Sequence, residues 1–415
     1  MNFNKITYFL RGEKRWVFLD QLVFSATSFI TTILLARQLG IGSFGVYSSI
    51  VLFLYLILSV SNAFVVAPFQ VLISKVKQPG YYKAAVFQMQ LLVVLLVCAI
   101  SAAILFSEIS FLSNYSHYKI SILLLLAGFL LQDFFRRVFL AMDKGFEAFI
   151  IGFVSGGLQL IILLIFSFNS SLELNDAIIV IAATYFPAIL LAFKYYGKIA
   201  LPIRYFRFYI AKHFSSGKWL LLTAVLQWSA SNFLVAASGL FLGVKALGAL
   251  RLSQTLFGVL NALLQVLDNY ALPKAAIQFN KSAEDLKVYL KLVTRQSLYF
   301  LLPVAILVII FSKQIFFIAG GTEYVEYAYT LQGMAVLYLV IFLGYPLRIA
   351  IRVYMLNRDF FIAYSASFVF SLLSAQYLIS QWQLYGVIVA LVGNQLLMLA
   401  YWQWVLARKQ FLLWK

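Results

Sequence analysis

The sequence predicts an all-α membrane protein with about twelve transmembrane helices. Its 415 residues are 63% hydrophobic and only 11% charged, and the mean hydropathy is +0.93. Soluble domains carry about 25% charged residues. The apolar residues fall in blocks of about 20, the length that crosses the hydrocarbon layer as a helix. These blocks do not alternate polar and apolar residues, so a transmembrane β-barrel is not predicted.

Twelve apolar blocks, separated by short polar connections, define the predicted spans. Their bounds are 16–36, 46–72, 84–106, 120–142, 147–168, 177–196, 218–242, 249–272, 288–311, 328–347, 361–380 and 385–406. An even number of spans places both termini on the same side of the membrane.

The positive charges follow the same topology. Of the 32 lysines and arginines, only Arg37, Lys119, Lys245, Arg251 and Lys313 fall on the side opposite the termini. The positive-inside rule therefore predicts cytoplasmic termini. The net charge of +18 is explained mostly by this topology, and nucleic acid is not an expected partner.

A basic and aromatic segment, 197–217, divides the chain into an N-terminal lobe, 1–196, and a C-terminal lobe, 218–415. Interleaved basic and aromatic residues are found in RNA-binding segments, but beside a membrane they favour an interfacial amphipathic helix on anionic headgroups. Each lobe holds six predicted spans, so the two lobes have the same orientation.

The two lobes resemble each other in sequence. Residues 39–45 (LGIGSFG) parallel 242–248 (LGVKALG), and 137–140 (RVFL) parallel 352–355 (RVYM). We therefore predict two parallel six-helix repeats around a central cavity, an arrangement known among transporters.

Charged residues inside the predicted spans are costly and often functional. Asp133 lies three and four residues before Arg136 and Arg137, so a helix brings it within reach of both. We interpret these three residues as a structural ion pair. Asp20, beside Gln21, has two interpretations: contact with the cytoplasmic interface or with Lys14 or Arg15, or proton or cation coupling and gating. Asp268 has the same two interpretations, an interfacial contact or a coupling and gating role.

Arg37 and Arg251 lie on the outer side against the general charge bias. Either they reach the headgroups as interfacial side chains, or they line a site for an anionic substrate, since guanidinium binds phosphate bidentately. Gln227 and Asn232 in the seventh span, like the serines and threonines of the first, could line a hydrophilic cavity. Such residues also join membrane helices to each other.

No catalytic, cofactor or metal motif is present. Cys98 is the one cysteine, and His117 and His213 are far apart in the chain. No Walker A loop, GxSxG or HExxH occurs, so we expect neither an enzyme nor a cofactor. A membrane-embedded polymerase or glycosyltransferase would require a sizeable external loop, which the predicted connections do not supply.

The first predicted span carries a recognisable motif. Asp20-Gln21, Ser28-Phe29, 34–40 (LLARQLG) and 44–47 (FGVY) resemble the first-helix signature of Wzx-type polysaccharide and O-antigen repeat-unit flippases. These proteins belong to the multidrug/oligosaccharidyl-lipid/polysaccharide (MOP) exporter superfamily. The resemblance in span number and length covers essentially the whole chain.

This resemblance implies a MATE-like fold in the bacterial inner membrane. It implies export of undecaprenyl-pyrophosphate-linked repeat units by alternating access, coupled to H⁺ or Na⁺, with membrane lipids, a polymerase and a chain-length regulator as partners. The motif carries over Asp20, Gln21 and Arg37. A drug antiporter with the same fold is the alternative.

Overall fold

The computed structural model describes residues 13–107, 110–169, 172–197 and 203–413. These residues form long α-helices joined by short turns. The helices are α1 Glu13–Ser61, α2 Ala67–Leu72, α3 Pro79–Phe106, α4 Lys119–Ala141, α5 Gly145–Asn169, α6 Leu174–Tyr196, α7 Ile203–Leu242, α8 Val244–Phe279, α9 Ala283–Ile310, α10 Ser312–Gly320, α11 Ala328–Val353 and α12 Asn357–Arg408. A π-helix, Asn62–Val66, and three 3₁₀ segments, Ile73–Lys75, Ser110–Tyr118 and Thr322–Tyr327, connect them.

Nine helices among the described residues are long and apolar enough to cross a membrane. Two of these are double spans: Arg15–Lys75, of 61 residues, breaks at Gly40, and Asn357–Arg408, of 52 residues, breaks at Gln383. The 36-residue α8 coincides with the eighth predicted span. The helices thus coincide with the predicted spans, and the prediction of an all-helical, polytopic membrane protein is confirmed.

The break at Gly40 explains why one long helix serves as two spans. Gly40 has φ 69° and ψ 166°, a conformation that glycine adopts without steric cost. Gly243, between α7 and α8, has nearly the same angles, φ 88° and ψ 172°. The predicted correspondence of 39–45 with 242–248 therefore has a local structural counterpart.

The chain divides into two compact units that differ from the predicted lobes. Unit 1 comprises Met1–Leu39 and Ile50–Val225, and unit 2 comprises Gly40–Ser49 and Leu226–Lys415. The division after Val225 lies within α7, beyond the predicted linker 197–217. A short segment of the N-terminal half, Gly40–Ser49, packs with the C-terminal half.

Each unit has its own apolar core. In unit 1, aromatic rings of α3, α4 and α6 pack together, with Phe135 5.9 Å from Phe87 and 5.3 Å from Tyr196 between ring centroids. In unit 2, Leu290, Ile349 and Trp402 belong to a buried cluster. Many large apolar side chains on the outer faces are exposed, as expected for helices that face lipid.

The turns after α4 and after α11 have the same hydrogen bonds. Met142 N–H bonds to the Val138 carbonyl as Tyr354 bonds to Ala350, and Lys144 bonds to Phe139 as Leu356 bonds to Ile351. Asp143 and Met355 both have φ 55°. This match corrects the predicted register of the repeat: Arg137 corresponds to Ile349 and not to Arg352, and Arg136 corresponds to Arg348.

From Ile203 onward the predicted linker 197–217 is helical, and it continues into the seventh span within α7. Residues 198–202 lie outside the described part of the chain. One face of this segment is buried, including Tyr209 and His213, whereas Phe208 and Phe214 are exposed. The segment thus packs one face against the protein, and its position on anionic headgroups stays a prediction.

His213 attaches this segment to the rest of unit 1. Its ring is fully buried; Nδ1 lies 3.2 Å from the Phe64 carbonyl oxygen, and Nε2 lies 2.7 Å from the Tyr82 hydroxyl. Since a carbonyl can only accept, Nδ1 carries the proton and Tyr82 donates to Nε2. Burial lowers the pKa of His213 below its ordinary value; the bond to Phe64 opposes this, and Lys212 adds to it.

Candidate functional site

The first part of α1 runs parallel to α5 along a seam of small and polar residues. Thr31 accepts a hydrogen bond from Gln159 at 2.7 Å, and Gln38 donates to Ser167 at 2.6 Å. A Cβ atom on Gly156 would overlap Thr27. Glycines at this kind of interface let helix backbones approach closely. Thr27 and Thr31 therefore join helices, one of the two interpretations open for the polar residues of the first span.

Asp20 lies at one end of this seam, against α5 and α4. A Cβ on Gly152 of α5 would lie 3.2 Å from the Asp20 carboxylate. Asp20 is 1% exposed, so it does not reach the interface as one of its two interpretations supposed. Its burial requires a partner on a neighbouring helix, because an uncompensated buried charge is strongly destabilising.

That partner is Arg136 of α4. Its Nε lies 2.8 Å from Asp20 Oδ1 and 3.0 Å from Oδ2. Its Nη2 donates to Gln21 at 3.4 Å, and its guanidinium carbon lies 4.2 Å from the centroid of the Phe24 ring. Three residues of α1 thus hold one arginine of α4, which joins the first and fourth spans.

Asp133 pairs with both arginines of α4. The Arg137 Nε lies 2.6 Å from its Oδ2, and the Arg136 Nη1 lies 3.6 Å from its Oδ1. Asp133 is fully buried, whereas the Arg137 side chain is 37% exposed. At 3.6 Å Nη1 and Oδ1 attract each other without a hydrogen bond, and neither atom has a hydrogen-bond partner among the described residues. Both atoms can therefore form new hydrogen bonds when the side chains move.

We call Asp20, Gln21, Asp133, Arg136 and Arg137 the charge cluster. Its two carboxylates and two guanidiniums balance, so no net charge is left buried. The local pairs of α4 follow from helix spacing, but the contact between Asp20 and Arg136 joins residues 116 positions apart. The sequence does contain a signal for this contact, which our prediction did not use. Asp133 alone cannot neutralise two arginines, and Asp20 needs one cation.

The other predicted site residues lie elsewhere. Arg37 is exposed on the first part of α1, in unit 1. In unit 2, the half-buried Arg251 donates to Gln254 at 2.9 Å, and Asn232 donates to the Trp228 carbonyl at 3.1 Å. Gln227, also in unit 2, is exposed. The backbone of Asp268 belongs to α8, but its side chain lies outside the described part.

The contacts around the break at Gly40, which belong to unit 2, were not predicted. The Ile41 N–H, the first amide after the break at Gly40, donates to Glu323 Oε2 at 2.8 Å. A Cβ on Gly45 would overlap the Val244 carbonyl oxygen, and a Cβ on Gly248 would lie 2.8 Å from the Ile41 carbonyl oxygen. Ile41 corresponds to Val244 and Gly45 to Gly248 in the predicted repeat, so the two contacts are reciprocal.

Within the described part of the chain, no group of three or more histidine, cysteine or carboxylate side chains could hold a metal ion. The charge cluster contains two carboxylates, but the guanidinium of Arg136 already occupies the place beside Asp20. The arrangement can therefore join helices, or exchange ion-pair partners when one of its carboxylates is protonated.

The comparison with known proteins concerns the fold. No family model matches the chain, and no curated protein sequence matches it. Among solved structures, an inward-facing multidrug resistance MATE family transporter of the MOP superfamily aligns with a TM-score of 0.71 and 12% identity, over 95% of this chain and 98% of that one.

Two further structures are similar. The lipid II flippase MurJ, in an inward closed conformation, has a TM-score of 0.65 and 13% identity, over 95% of this chain and 88% of that one. The eukaryotic MATE transporter AtDTX14 has a TM-score of 0.58 and 13% identity, with 96% of each chain covered. The chain therefore has the MATE-like fold of MOP superfamily transporters, as the resemblance implied.

Proposed function

We propose that the protein is a flippase that moves undecaprenyl-pyrophosphate-linked polysaccharide repeat units from the inner to the outer leaflet by alternating access. The fold is that of MOP superfamily transporters, and one similar structure is a lipid II flippase. The motif of the first span, 20–47, supports the Wzx-type assignment. We place the protein in the bacterial inner membrane with both termini in the cytoplasm.

The charge cluster is the observation that carries this proposal. An exporter of cationic drugs needs an intramembrane carboxylate that can contact the positive charge of the substrate. Asp20 and Asp133 are instead paired with Arg136 and Arg137, so neither offers free negative charge. Arg37 and Arg251, which lie on the outer side against the general charge bias, favour an anionic substrate such as a pyrophosphate.

Within this proposal, Arg37 and Arg251 contact phosphate or acidic sugar groups, and Gln227 and Asn232 contact sugar hydroxyls. Asp20, with Gln21, and Asp268 are the proposed coupling or gating residues for H⁺ or Na⁺. Uptake of a proton by Asp20 would release the Nε of Arg136, which is how the cluster could couple ion binding to helix movement. The proposed partners are membrane lipids, a polymerase and a chain-length regulator.

Deletion of the gene in its polysaccharide-producing host tests the proposal. Lipid-linked repeat units should accumulate on the cytoplasmic leaflet, and surface polymer should disappear until the gene is restored. Normal surface polymer in the deletion strain would refute the proposal. Arg251→Ala should abolish complementation at normal membrane abundance, whereas Lys313→Ala, which also removes an outer positive charge, should complement fully.

The MATE-like drug antiporter remains the second candidate, because the structure with a TM-score of 0.71 is a multidrug resistance transporter. In that case, expression in a drug-sensitive host should raise resistance to cationic compounds, and Asp20→Asn should remove this resistance. Unchanged drug susceptibility of the expressing host, together with accumulation of lipid-linked repeat units on the cytoplasmic leaflet of the deletion strain, would favour the flippase.

A further inference from the structure

Arg348 of unit 2 occupies the position that Arg136 occupies in unit 1. Arg136 lies six residues before Met142, and Arg348 lies six residues before Tyr354. The turns that follow have matching backbone hydrogen bonds and matching left-handed residues, Asp143 and Met355. Both arginines therefore stand one and a half turns before the end of equivalent helices.

The surroundings of the two arginines differ in charge. The Nε of Arg136 donates to Asp20, whereas the Nε of Arg348 is buried and has no hydrogen-bond partner among the described residues. The guanidinium Nε is thus the atom that differs between the two arginines. In unit 1 it donates to a carboxylate, and in unit 2 it has no acceptor among the described residues.

The sequence explains this difference. The residue that corresponds to Asp133 is Tyr345, whose hydroxyl donates to the Leu264 carbonyl at 3.0 Å and carries no negative charge. The seventh span cannot supply a counterpart of Asp20, because no aspartate or glutamate lies between Asp176 and Asp268. Among the described residues, no carboxylate therefore neutralises Arg348 as Asp20 neutralises Arg136.

A guanidinium at the end of a membrane span is costly even before its partners are counted. A buried N–H without an acceptor adds a further cost. An oxyanion at the place that the Asp20 carboxylate takes beside Arg136 would remove both costs. The planar guanidinium matches phosphate geometry, since it donates two parallel hydrogen bonds to two oxygens.

We propose that Arg348 binds a phosphate-bearing lipid, whose oxyanion takes the place in unit 2 that the Asp20 carboxylate takes in unit 1. The phosphate has two possible sources: the pyrophosphate of the transported substrate, or the headgroup of an anionic phospholipid. The first source rests on the proposed function and adds a substrate contact to it. The second is independent of that function.

Binding measurements on the purified full-length protein distinguish the two sources. One arm uses farnesyl pyrophosphate, with farnesol as the uncharged reference. The other compares nanodiscs of phosphatidylglycerol with nanodiscs of phosphatidylcholine, and records the melting temperature. Arg348→Gln should weaken binding roughly 10- to 100-fold in the arm that matches the true source, as expected for loss of hydrogen bonds to a charged group. Arg348→Lys should recover part of the loss.

The matched control is Arg352→Gln, which removes an exposed positive charge one turn further along α11 and should leave both arms unchanged. Unchanged binding by Arg348→Gln in both arms would overturn the inference while leaving the flippase proposal to its own deletion test. A second result would also overturn the inference. If Arg348→Gln weakens binding in the unmodified protein but not in the Asp268→Asn variant, Asp268 is the partner of Arg348 and the lipid phosphate is not. Size-exclusion profiles establish that each variant is folded.

Discussion

Gly45 and Val244 meet so closely that the glycine hydrogen faces the carbonyl oxygen, and a Cβ at Gly45 would overlap that oxygen. The relationship is reciprocal: Gly248 approaches the Ile41 carbonyl in the same way, at 2.8 Å for its added Cβ. Two segments that correspond in the sequence repeat therefore pack against each other inside unit 2. Each needs a glycine at the point of contact, which explains the spacing shared by 39–45 and 242–248.

Replacement of Gly45 by alanine should destabilise unit 2. The added methyl group has no space beside the Val244 backbone, and overpacking of this kind costs about 1–3 kcal/mol. Thermal melting of the purified protein would measure the loss. Gly42→Ala is the matched control, since no atom lies within 4 Å of its added Cβ; helix propensity predicts a gain of roughly 0.5–1 kcal/mol there. Equal melting temperatures for both variants would contradict the proposed packing.

Disruption of the pair between Asp20 and Arg136 should be costly. Arg136→Gln leaves Asp20 buried without its cation, and removal of one partner of a buried ion pair costs about 3–5 kcal/mol. In Asp20→Asn with Arg136→Gln the loss should be smaller than the sum of the single losses. Denaturant titration of all four proteins measures this coupling.

The control for that cycle is the exposed pair of Lys144 and Glu147, 3.7 Å apart with side chains 41% and 22% exposed. Glu147→Gln should change the unfolding free energy by less than about 1 kcal/mol, because exposed ion pairs contribute little. Strict additivity of the Asp20 and Arg136 substitutions would show that the two side chains do not interact energetically.

Stability should fall as the pH decreases below about 6.5, the ordinary pKa of histidine. Burial lowers the pKa of His213 in the folded protein, so the unfolded chain takes up a proton first. The stabilisation is complete above the unfolded pKa and is lost as the pH falls through the lowered folded pKa. The difference in melting temperature between pH 8 and pH 5 measures the effect.

His213→Gln should reduce that pH-dependent difference, whatever its effect on stability at pH 8. His117→Gln is the control, because His117 is exposed and should leave the difference unchanged. If His213→Gln shows the same pH dependence as the unmodified protein, His213 does not titrate on unfolding.

Glu323 should stabilise the helix that begins after Gly40. Its carboxylate accepts the Ile41 N–H at 2.8 Å, and a negative charge at a helix N-terminus is favourable. Glu323→Ala should cost about 0.5–2 kcal/mol, the usual value of a lost N-terminal cap. Glu323→Gln keeps an acceptor and should cost less. Glu326→Ala, which removes an exposed carboxylate one turn away, should be neutral; a larger effect at Glu326 would argue against the cap.

Hydropathy and charge alone were enough to predict the helices of this protein. A span must be about 20 residues long and hydrogen-bonded within itself, and these requirements are read along the chain. Local pairs, such as Asp133 with Arg137, follow from the same reasoning because helix spacing sets them. The correspondence of Gly40 with Gly243 was also visible, since positive φ angles select glycine.

Contacts between helices could not be predicted in the same way. Which helix faces which depends on side-chain packing across the whole bundle, so the partner of Asp20 was found only in the structure. The register of the repeat likewise follows from turn geometry, which pairs Arg136 with Arg348. The amino-acid sequence alone favours a different register, because the residues after Arg137 and Arg352 are more similar. The sequence by itself determined the membrane class and the positions of the spans. The tertiary structure decided how Asp20 is neutralised, because its partner Arg136 belongs to a different helix and must lie at hydrogen-bond distance.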